Sequence, residues 1–314
     1  MQPASQSGSI PYRRFLAPRF WPAWLLLGWM RLAAVLPYPW QIAAGKCIGR
    51  TGRLLTRSSR RVVMRNLQAC FPDLTPAQRL SLSRDHFAAV GAAFSEMGLG
   101  WFASDKRLHR LIRVEGREYL ENALAQDKGI IVLTAHFTSL ETGSSLLQEL
   151  FPGIKAVYRP QPNEMIDAMI SRGRQRIVAE QIPKDNIRAM VRTLRDGGAV
   201  AYLADLAGRG NNRAVIPFFG EPAMTTTAVS KLARMTGATV LTYFFRRLPG
   251  RAGYVVNIGP PLDGFPSDDP IADTRRVVER LEAYIRQAPE QYMWTYRRFK
   301  GRPANYPDLY AADP

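Results

Sequence analysis

From residue 112 onward, short apolar runs alternate with stretches whose apolar residues recur every three or four positions. The short runs, which are rich in β-branched residues, predict buried strands at 112–114, 129–135, 153–158, 199–203, 239–246 and 254–258, with a further extended segment at 215–219. The amphipathic stretches predict helices at 117–125, 140–150, 164–176, 187–194 and 271–286, and one that follows a threonine cap at 225–227 and ends at 236. This alternation predicts an α/β fold with a mixed, mostly parallel sheet flanked by helices.

The N-terminal part has a different pattern. Residues 20–37 are almost continuously apolar and rich in tryptophan, which is typical of a membrane–water interface and predicts a hydrophobic anchor helix. The pattern leaves open a short tilted span, a helix lying in the interface, or a buried helix of a soluble domain. Residues 41–100 predict helices, one of them beginning at the Thr75 cap with Gln78 in the capping-box position. We therefore divide the chain into a tail and anchor helix at 1–40 and a domain at 41–314, with a helical lead-in (41–110) and an α/β core (111–300).

Charge adds a class of partner to this picture. The chain has 43 Lys and Arg against 26 Asp and Glu, a formal net charge of +17, which indicates a polyanionic partner such as an anionic membrane or nucleic acid. An arginine cluster between residues 50 and 65 suits anionic lipid headgroups. The two cysteines, Cys47 and Cys70, lack metal-ligand spacing, so we expect a reducing, cytoplasmic setting and no disulfide.

The stretch around His136 carries the candidate chemistry. His136 directly follows a predicted buried strand, and Glu141 lies five residues later in the first turn of the next predicted helix. A histidine placed there can remove a proton from a hydroxyl group, while a nearby carboxylate orients the imidazole and stabilises its charged form. A histidine packed for structural reasons gives the same pattern. His86 and His109, the other two histidines, fit packed or exposed helix positions, which leaves His136 as the candidate base.

Two further charged residues follow predicted strands. Arg159 comes after the strand at 153–158, and Asp205 after the strand at 199–203. Because the carboxyl ends of parallel strands meet at one edge of a sheet, where ligands bind, we expect both to lie at the edge that holds His136. Each could also be an ordinary surface or turn residue.

These residues carry a resemblance to a known family. The segment HFTSLE, residues 136–141, resembles the H-x4-D/E motif of glycerolipid acyltransferases. The segments RNLQACFP, YRP (158–160), PFFG and PEQYMWTYRRFK (289–300) resemble, in the same order, those of the lipid A late acyltransferases, and most closely the lauroyl-transferring members. The resemblance covers residues 15–303, and the C-terminal block is its most specific part.

The resemblance implies an enzyme on the cytoplasmic face of the inner membrane. Such an enzyme moves a fatty acyl chain from acyl carrier protein to a hydroxyl group of the Kdo-bearing lipid A precursor. In that reaction His136 would be the general base and Glu141 its orienting partner. Arg159 would bind the oxyanion or an acceptor phosphate, and Asp205 would position Arg159 or the acceptor. No cofactor and no metal are called for, and the partners are the carrier protein, the precursor and anionic lipids.

The sequence departs from the family pattern in two places. Leu206 and Ala207 follow Asp205 where the family usually has Gln or His, so donor or acceptor preference could differ. Tyr296 stands where the terminal block usually has His, which puts any role of that histidine in doubt here.

Three other interpretations compete with this one. The enzyme could act on a different lipid acceptor, such as a lysophospholipid or an ornithine-type lipid. The chain could be a catalytically silent protein of the membrane surface. Charge alone would allow a nucleic-acid binder, but the sequence has no recognisable nucleic-acid-binding module and no face of interleaved basic and aromatic residues, so we expect no nucleic-acid partner.

Overall fold

The computed structural model describes residues 12–207 and 212–311 of the chain. In this part the helices are α1 (Trp21–Val35), α2 (Tyr38–Leu55), α3 (Arg57–Cys70), α4 (Pro76–Phe102), α5 (Asp105–Leu111), α6 (Arg117–Leu124), α7 (Leu140–Gly143), α8 (Leu147–Leu150), α9 (Glu164–Arg174), α10 (Ile187–Arg195), α11 (Ala228–Thr236) and α12 (Pro270–Ile285). The strands are β1 (Ile112–Glu115), β2 (Ile130–Thr134), β3 (Lys155–Tyr158), β4 (Glu180–Pro183), β5 (Ala199–Leu203), β6 (Arg213–Phe218), β7 (Glu221–Thr226), β8 (Thr239–Arg247) and β9 (Tyr254–Ile258).

Seven strands form the central sheet, in the order β1-β9-β8-β2-β5-β3-β4. Strands β8, β2, β5, β3 and β4 run parallel to one another, whereas β9 pairs antiparallel with β8 and carries β1 at the edge. The predicted mixed, mostly parallel sheet is confirmed, and all six of the predicted buried strands are present in it. The extended segment predicted at 215–219 falls in β6, which forms a separate antiparallel hairpin with β7.

The central strand β2 is buried on both faces. Ile130 and Val132 belong to a large hydrophobic cluster, while Ile131 and Leu133 belong to a second cluster on the opposite face. This division follows from the alternation of side chains along a strand. Both faces of the sheet are therefore covered, as its mostly parallel topology requires.

α4 is the longest helix of the described part and the main support of the N-terminal helices. It begins at the predicted capping box, where Thr75 accepts from the backbone N–H of Gln78 and the Gln78 side chain accepts from the N–H of Thr75. Glycines let α1 and α2 lie close to it: a Cβ at Gly98 would lie 2.0 Å from the carbonyl oxygen of Met30 in α1, and one at Gly91 2.3 Å from that of Gly45 in α2. The helical lead-in is thus packed as one unit around α4.

The predicted anchor helix needs correction. In place of an independent apolar anchor, the structure has the fifteen-residue α1, with Ala23, Met30, Ala33 and Ala34 buried. None of the helices in the described ranges combines the length and apolar character needed to cross a bilayer. The boundary proposed at residue 40 stays a prediction, and residues 1–11 of the predicted tail lie outside the described part.

The helix predicted at 140–150 is also broken into three pieces: α7, a 3₁₀ turn at Ser144–Leu146, and α8. Packing explains the break. A Cβ at Gly143 would lie 2.2 Å from the ring of Phe245, and the Tyr243 hydroxyl donates to the carbonyl oxygen of Gly143 at 2.7 Å. The interruption of the helix thus coincides with its close contact with β8.

Candidate active site

His136 and Asp205 meet at the carboxyl edge of the sheet. They follow the neighbouring strands β2 and β5, whose last paired residues are Thr134 and Leu203. The Nδ1 atom of His136 lies 2.7 Å from Oδ1 of Asp205, and the backbone N–H of His136 donates to Oδ2 at 3.0 Å. The Asp205 side chain is fully buried, whereas 23% of the His136 side chain is exposed. The imidazole is thus fixed through Nδ1 by a buried carboxylate, while part of the ring is exposed to solvent.

The charge of Asp205 decides which nitrogen of His136 carries the proton. Burial by itself raises the pKa of Asp205, but the adjacent imidazole and its hydrogen bonds hold the pKa below its ordinary value. An ionised carboxylate only accepts hydrogen bonds, so Nδ1 of His136 is the donor. The lone pair of the neutral imidazole then lies on Nε2, the nitrogen that can remove a proton from a ligand.

The C-terminal block fixes this pair in place. The hydroxyl of Tyr292 donates to Oδ2 of Asp205 at 3.0 Å. The backbone N–H of Met293 donates to the carbonyl oxygen of His136 at 2.9 Å, and that of Thr138 to the carbonyl oxygen of Gln291 at 2.8 Å. The block that carries the family resemblance is therefore part of the site.

The ring of Tyr296 also contacts the candidate base. It meets the imidazole of His136 edge-on, with the ring centroids 4.9 Å apart. A hydrogen bond fixes the backbone of Tyr296, because the side chain of the buried Asn66 donates to its carbonyl oxygen at 2.8 Å. Burial, followed by the Asp205 carboxylate, raises the pKa of the Tyr296 phenol, which keeps the hydroxyl protonated.

The expected contact between Glu141 and His136 is not present, and this part of the sequence prediction is corrected. The carboxylate of the buried Glu141 accepts from Arg174 in α9, with Nη2 2.5 Å from Oε1, and from the indole N–H of Trp101 at 2.9 Å. Burial lowers the pKa of Arg174, but Glu141 more than compensates and raises it. Glu141 thus joins α7 to α9 and α4, and Asp205 takes the orienting position that the sequence pattern gave to Glu141.

Arg159 lies at the predicted edge of the sheet but outside the His136–Asp205 pair. It follows β3, which is separated from β2 by β5, and its side chain is exposed. The expected role of Asp205 in positioning Arg159 has no support in the hydrogen bonds of the described residues. The remaining two histidines are placed as expected: His86 is buried in α4, and His109 is half-exposed and 2.6 Å from Glu149.

The sequence pattern assigned no role to three residues in and around this site: Tyr292, Tyr296 and Arg174. The first two belong to the PEQYMWTYRRFK block, which stood out only by resemblance. Arg174 was one of three arginines on a predicted helix, with no signal that separated it from Arg172 and Arg176. Within the described ranges, no group of three or more His, Cys, Asp or Glu could hold a metal ion.

This arrangement can perform general-base chemistry. A buried carboxylate orients an imidazole that is partly exposed to solvent and whose Nε2 carries the free lone pair, which is the geometry required to remove a proton from a hydroxyl group. Enzymes that transfer an acyl group to an alcohol need such a base.

Comparison with known proteins gives the family. Residues 11–301 match the bacterial lipid A biosynthesis acyltransferase family. The chain is 35% identical to the lipid A biosynthesis lauroyltransferase of Escherichia coli K12, over 94% of this chain and 96% of that protein. It is 34% identical to the palmitoleoyltransferase of the same organism, over 95% and 97%, and 25% identical to its myristoyltransferase, over 92% and 90%. The chain belongs to the lipid A biosynthesis acyltransferase family, and it is an acyltransferase.

A solved structure is also similar at a much lower level. The 1-acyl-sn-glycerophosphate acyltransferase PlsC from Thermotoga maritima matches with a TM-score of 0.35 and 16% identity, over 77% of this chain and 99% of that one. A similarity this weak adds nothing to the assignment.

Proposed function

We propose that this enzyme moves a fatty acyl chain from acyl carrier protein to a hydroxyl group of the Kdo-bearing lipid A precursor, with His136 as the general base. The observation that carries the proposal is the His136–Asp205 pair, with Nδ1 held at 2.7 Å and the side chain open to solvent, in a chain of this family. Asp205 replaces Glu141 as the orienting carboxylate.

The reaction is a transfer of the acyl group from sulfur to oxygen. Nε2 of His136 takes the proton of the acceptor hydroxyl as its oxygen attacks the thioester carbonyl. The C–O bond forms, the C–S bond breaks, and the imidazolium returns the proton to the leaving thiolate. The products are the new ester and the free thiol of the carrier protein. Asp205 stabilises the imidazolium between the two proton transfers.

Two arginines are candidates for the anionic groups of the reaction. Arg159 is exposed at the carboxyl edge of the sheet, which suits a phosphate of the acceptor better than the oxyanion. Arg174 is fixed by Glu141 through Nε and Nη2, about one quarter of its side chain is exposed, and its remaining nitrogen Nη1 suits the oxyanion.

Charge supports the proposed setting at the cytoplasmic face of the inner membrane. The net charge of +17 suits an anionic lipid surface, a phosphorylated acceptor and an acidic carrier protein at the same time. A lipid-borne acceptor also requires the enzyme to work at a membrane surface.

Acyl transfer by membranes that contain this protein tests the proposal. Acyl carrier proteins with several chain lengths are offered to the Kdo-bearing tetra-acylated precursor, and mass spectrometry reads the product. We expect a mass gain of one acyl unit, which His136→Ala abolishes without changing the amount of folded protein. Transfer to a lysophospholipid or an ornithine-type lipid instead, or to no lipid with any donor, would overturn the assignment of the acceptor.

A further inference from the structure

Asn66 joins α3 to the C-terminal block through its side-chain amide. It is fully buried, on the side of α3 that also carries the buried Val63 and Leu67. Its Nδ2 donates to the backbone carbonyl oxygens of Trp294 at 2.7 Å and of Tyr296 at 2.8 Å. A side-chain amide has two N–H donors, so both are used on the block. The backbone of this part of the block is therefore fixed relative to α3.

The oxygen of the same amide accepts from Tyr310. The Tyr310 hydroxyl donates to Oδ1 of Asn66 at 2.5 Å, and it accepts from the backbone N–H of Phe299, in the C-terminal block, at 3.1 Å. The hydroxyl thus connects Asn66 to the block a second time. The family match ends at residue 301, so Tyr310 lies outside the matched region.

Tyr310 belongs to a segment that is itself held to the body of the protein. We call this segment, residues 302–311, the C-terminal clasp. At its start the side chain of Arg302, which is 3% exposed, donates to the carboxylate of Glu221 in β7 and to a carbonyl oxygen of the clasp. At its end Leu309 and Tyr310 pack against the large hydrophobic cluster. The clasp therefore presents the Tyr310 hydroxyl to Asn66 from a fixed position.

The same contacts lead to the candidate base. The ring of Tyr296 lies edge-on to the imidazole of His136, with the ring centroids 4.9 Å apart. Because 43% of Tyr296 is exposed, packing against neighbours does not enclose its ring. Its carbonyl oxygen accepts from the backbone N–H of Arg298, inside the block, at 2.9 Å, and from Asn66 at 2.8 Å. The bond from Asn66 comes from another element, so it relates the ring to the body of the protein.

We propose that Asn66 and the C-terminal clasp set the position of the Tyr296 ring against His136. Asn66 and Tyr310 are then positioning residues for acyl transfer, because they touch neither the substrate nor the reacting atoms and act on the base through Tyr296. The proposal rests on the proposed function for the role of His136 as general base. It also gives a task to the asparagine of the RNLQACFP segment.

A clasp that only stabilises the fold makes a different prediction, and Tyr310→Phe separates the two. The substitution removes one hydroxyl and keeps the ring in the hydrophobic cluster. A change at Asn66 would be harsher, since it takes a donor away from two backbone carbonyl oxygens. We expect Tyr310→Phe to lower kcat by about twofold to fivefold and to leave KM within about twofold, because the base is less well positioned while substrate binding is unchanged.

A double-mutant cycle between Tyr310→Phe and Tyr296→Ala tests the route. The clasp acts through the Tyr296 ring, so removal of the ring also removes the effect of the clasp. Tyr310→Phe should therefore change kcat by less than about 1.5-fold in the Tyr296→Ala background. An equal loss of kcat in both backgrounds, or a wild-type kcat in Tyr310→Phe itself, would overturn the inference.

Tyr306→Phe is the matched control in the same segment. The ring of Tyr306 lies beside the guanidinium of Arg302, and removal of its hydroxyl leaves the three hydrogen bonds of Asn66 intact. We expect wild-type kcat in Tyr306→Phe. Circular dichroism and thermal unfolding confirm that all variants are folded at the temperature of the assay.

Hydrogen exchange tests the clasp without donor or acceptor. The backbone N–H of Met293 donates to the carbonyl oxygen of His136 at 2.9 Å, so its exchange rate reports how firmly the block is held beside the base. We expect exchange in residues 289–300 to be at least about threefold faster in Tyr310→Phe than in the wild type, and unchanged in Tyr306→Phe.

The two measurements separate a failure of the inference from a failure of the proposed function. A wild type that acylates no lipid, with the expected change in exchange, would refute the proposed function and support the placement of the block by the clasp. An active wild type whose exchange is unaffected by Tyr310→Phe would refute the clasp and leave the proposed function in place.

Discussion

At the scale of single residues, the Asp205 carboxylate organises the candidate site. Its two oxygens accept three hydrogen bonds, from Nδ1 and the backbone N–H of His136 and from the hydroxyl of Tyr292. Three donors from two parts of the chain leave the carboxylate no freedom to rotate, so the plane of the imidazole is set before any substrate binds. Such preorganisation is what a general base requires.

The edge-on contact between Tyr296 and His136 should support the same orientation. Aromatic pairs of this geometry contribute about 0.5–1.5 kcal/mol, which corresponds to roughly twofold to twelvefold in rate if the ring holds the imidazole in its reactive rotamer. We therefore expect Tyr296→Ala to lower kcat by that factor, measured as initial acyl-transfer rates at saturating substrate.

Tyr296→Phe keeps the ring and removes only the hydroxyl, so it is the matched control and should retain wild-type kcat. A loss of kcat in Tyr296→Phe as large as in Tyr296→Ala would show that the hydroxyl, and not the ring contact, carries the effect.

The buried His86 predicts a pH-dependent stability. Burial lowers the pKa of His86 to about 4, although the hydrogen bond to the carbonyl oxygen of Glu290 acts in the opposite direction. Below about pH 6.5 the unfolded chain takes up a proton at His86 and the folded chain does not. The free energy of unfolding is therefore unaffected by His86 above this pH and decreases as the pH falls toward 4.

This shift in the pKa of His86 lowers the free energy of unfolding by roughly 3 kcal/mol at most. Urea unfolding at pH 7 and pH 5 checks this, with His86→Gln as the comparison. The free energy of unfolding should fall more steeply with acid in the wild type than in His86→Gln. Parallel pH profiles for the two proteins would contradict the assignment.

At the scale of elements, glycine positions decide how α2 meets α4. A Cβ at Gly49 would lie 2.0 Å from the carbonyl oxygen of Phe87, whereas a Cβ at Gly52, one turn later in the same helix, would meet nothing within 4 Å. Gly49→Ala should lower the free energy of unfolding by about 1–3 kcal/mol, because the helices must move apart.

Gly52→Ala should instead raise the free energy of unfolding by about 0.5–1 kcal/mol through helix propensity. Thermal or urea unfolding measures both variants. A similar change in the two would mean that the close crossing of α2 and α4 does not limit stability.

Local sequence pattern predicted most elements but not those that depend on distant contacts. The buried strands and the Thr75 capping box were readable because β-branched runs and capping residues act locally. β4 was missed because Glu180–Pro183 carries one apolar residue, Ile182, and a proline. The β6–β7 hairpin was predicted only in its first strand, because its turn is Phe219–Gly220, both with positive φ, where Asn-Gly or Asp-Gly is the readable signal.

The sequence pointed to several candidate residues but not to the way in which they pair. His136, Glu141 and Asp205 were all identified, yet five residues of sequence separation favoured Glu141 as the partner of His136. The true neighbour depends on β5 lying beside β2, which is a property of sheet order. No local pattern encodes sheet order, so a contact between His136 and Asp205, which are separated by 69 positions in the sequence, could not be predicted from local pattern.

At the scale of the whole molecule, one long helix connects the N-terminal helices with α7, the helix that follows His136. α4 supports α1 and α2 at Gly98 and Gly91, and its C-terminal turn reaches Glu141 through Trp101. The N-terminal helices are therefore part of the body of the enzyme, packed through α4 against the segment that follows His136.

The most direct test of the central claim compares Asp205→Asn with Glu141→Gln by kcat, using folded protein and the acyl-transfer assay. In Asp205→Asn the introduced amide offers a donor to Nδ1, which drives the His136 proton onto Nε2 and removes the base. We expect kcat to fall by about 10³–10⁴-fold in Asp205→Asn and by no more than about tenfold in Glu141→Gln. An equal or greater loss in Glu141→Gln, with Asp205→Asn near wild type, would contradict the account and return the orienting role to Glu141.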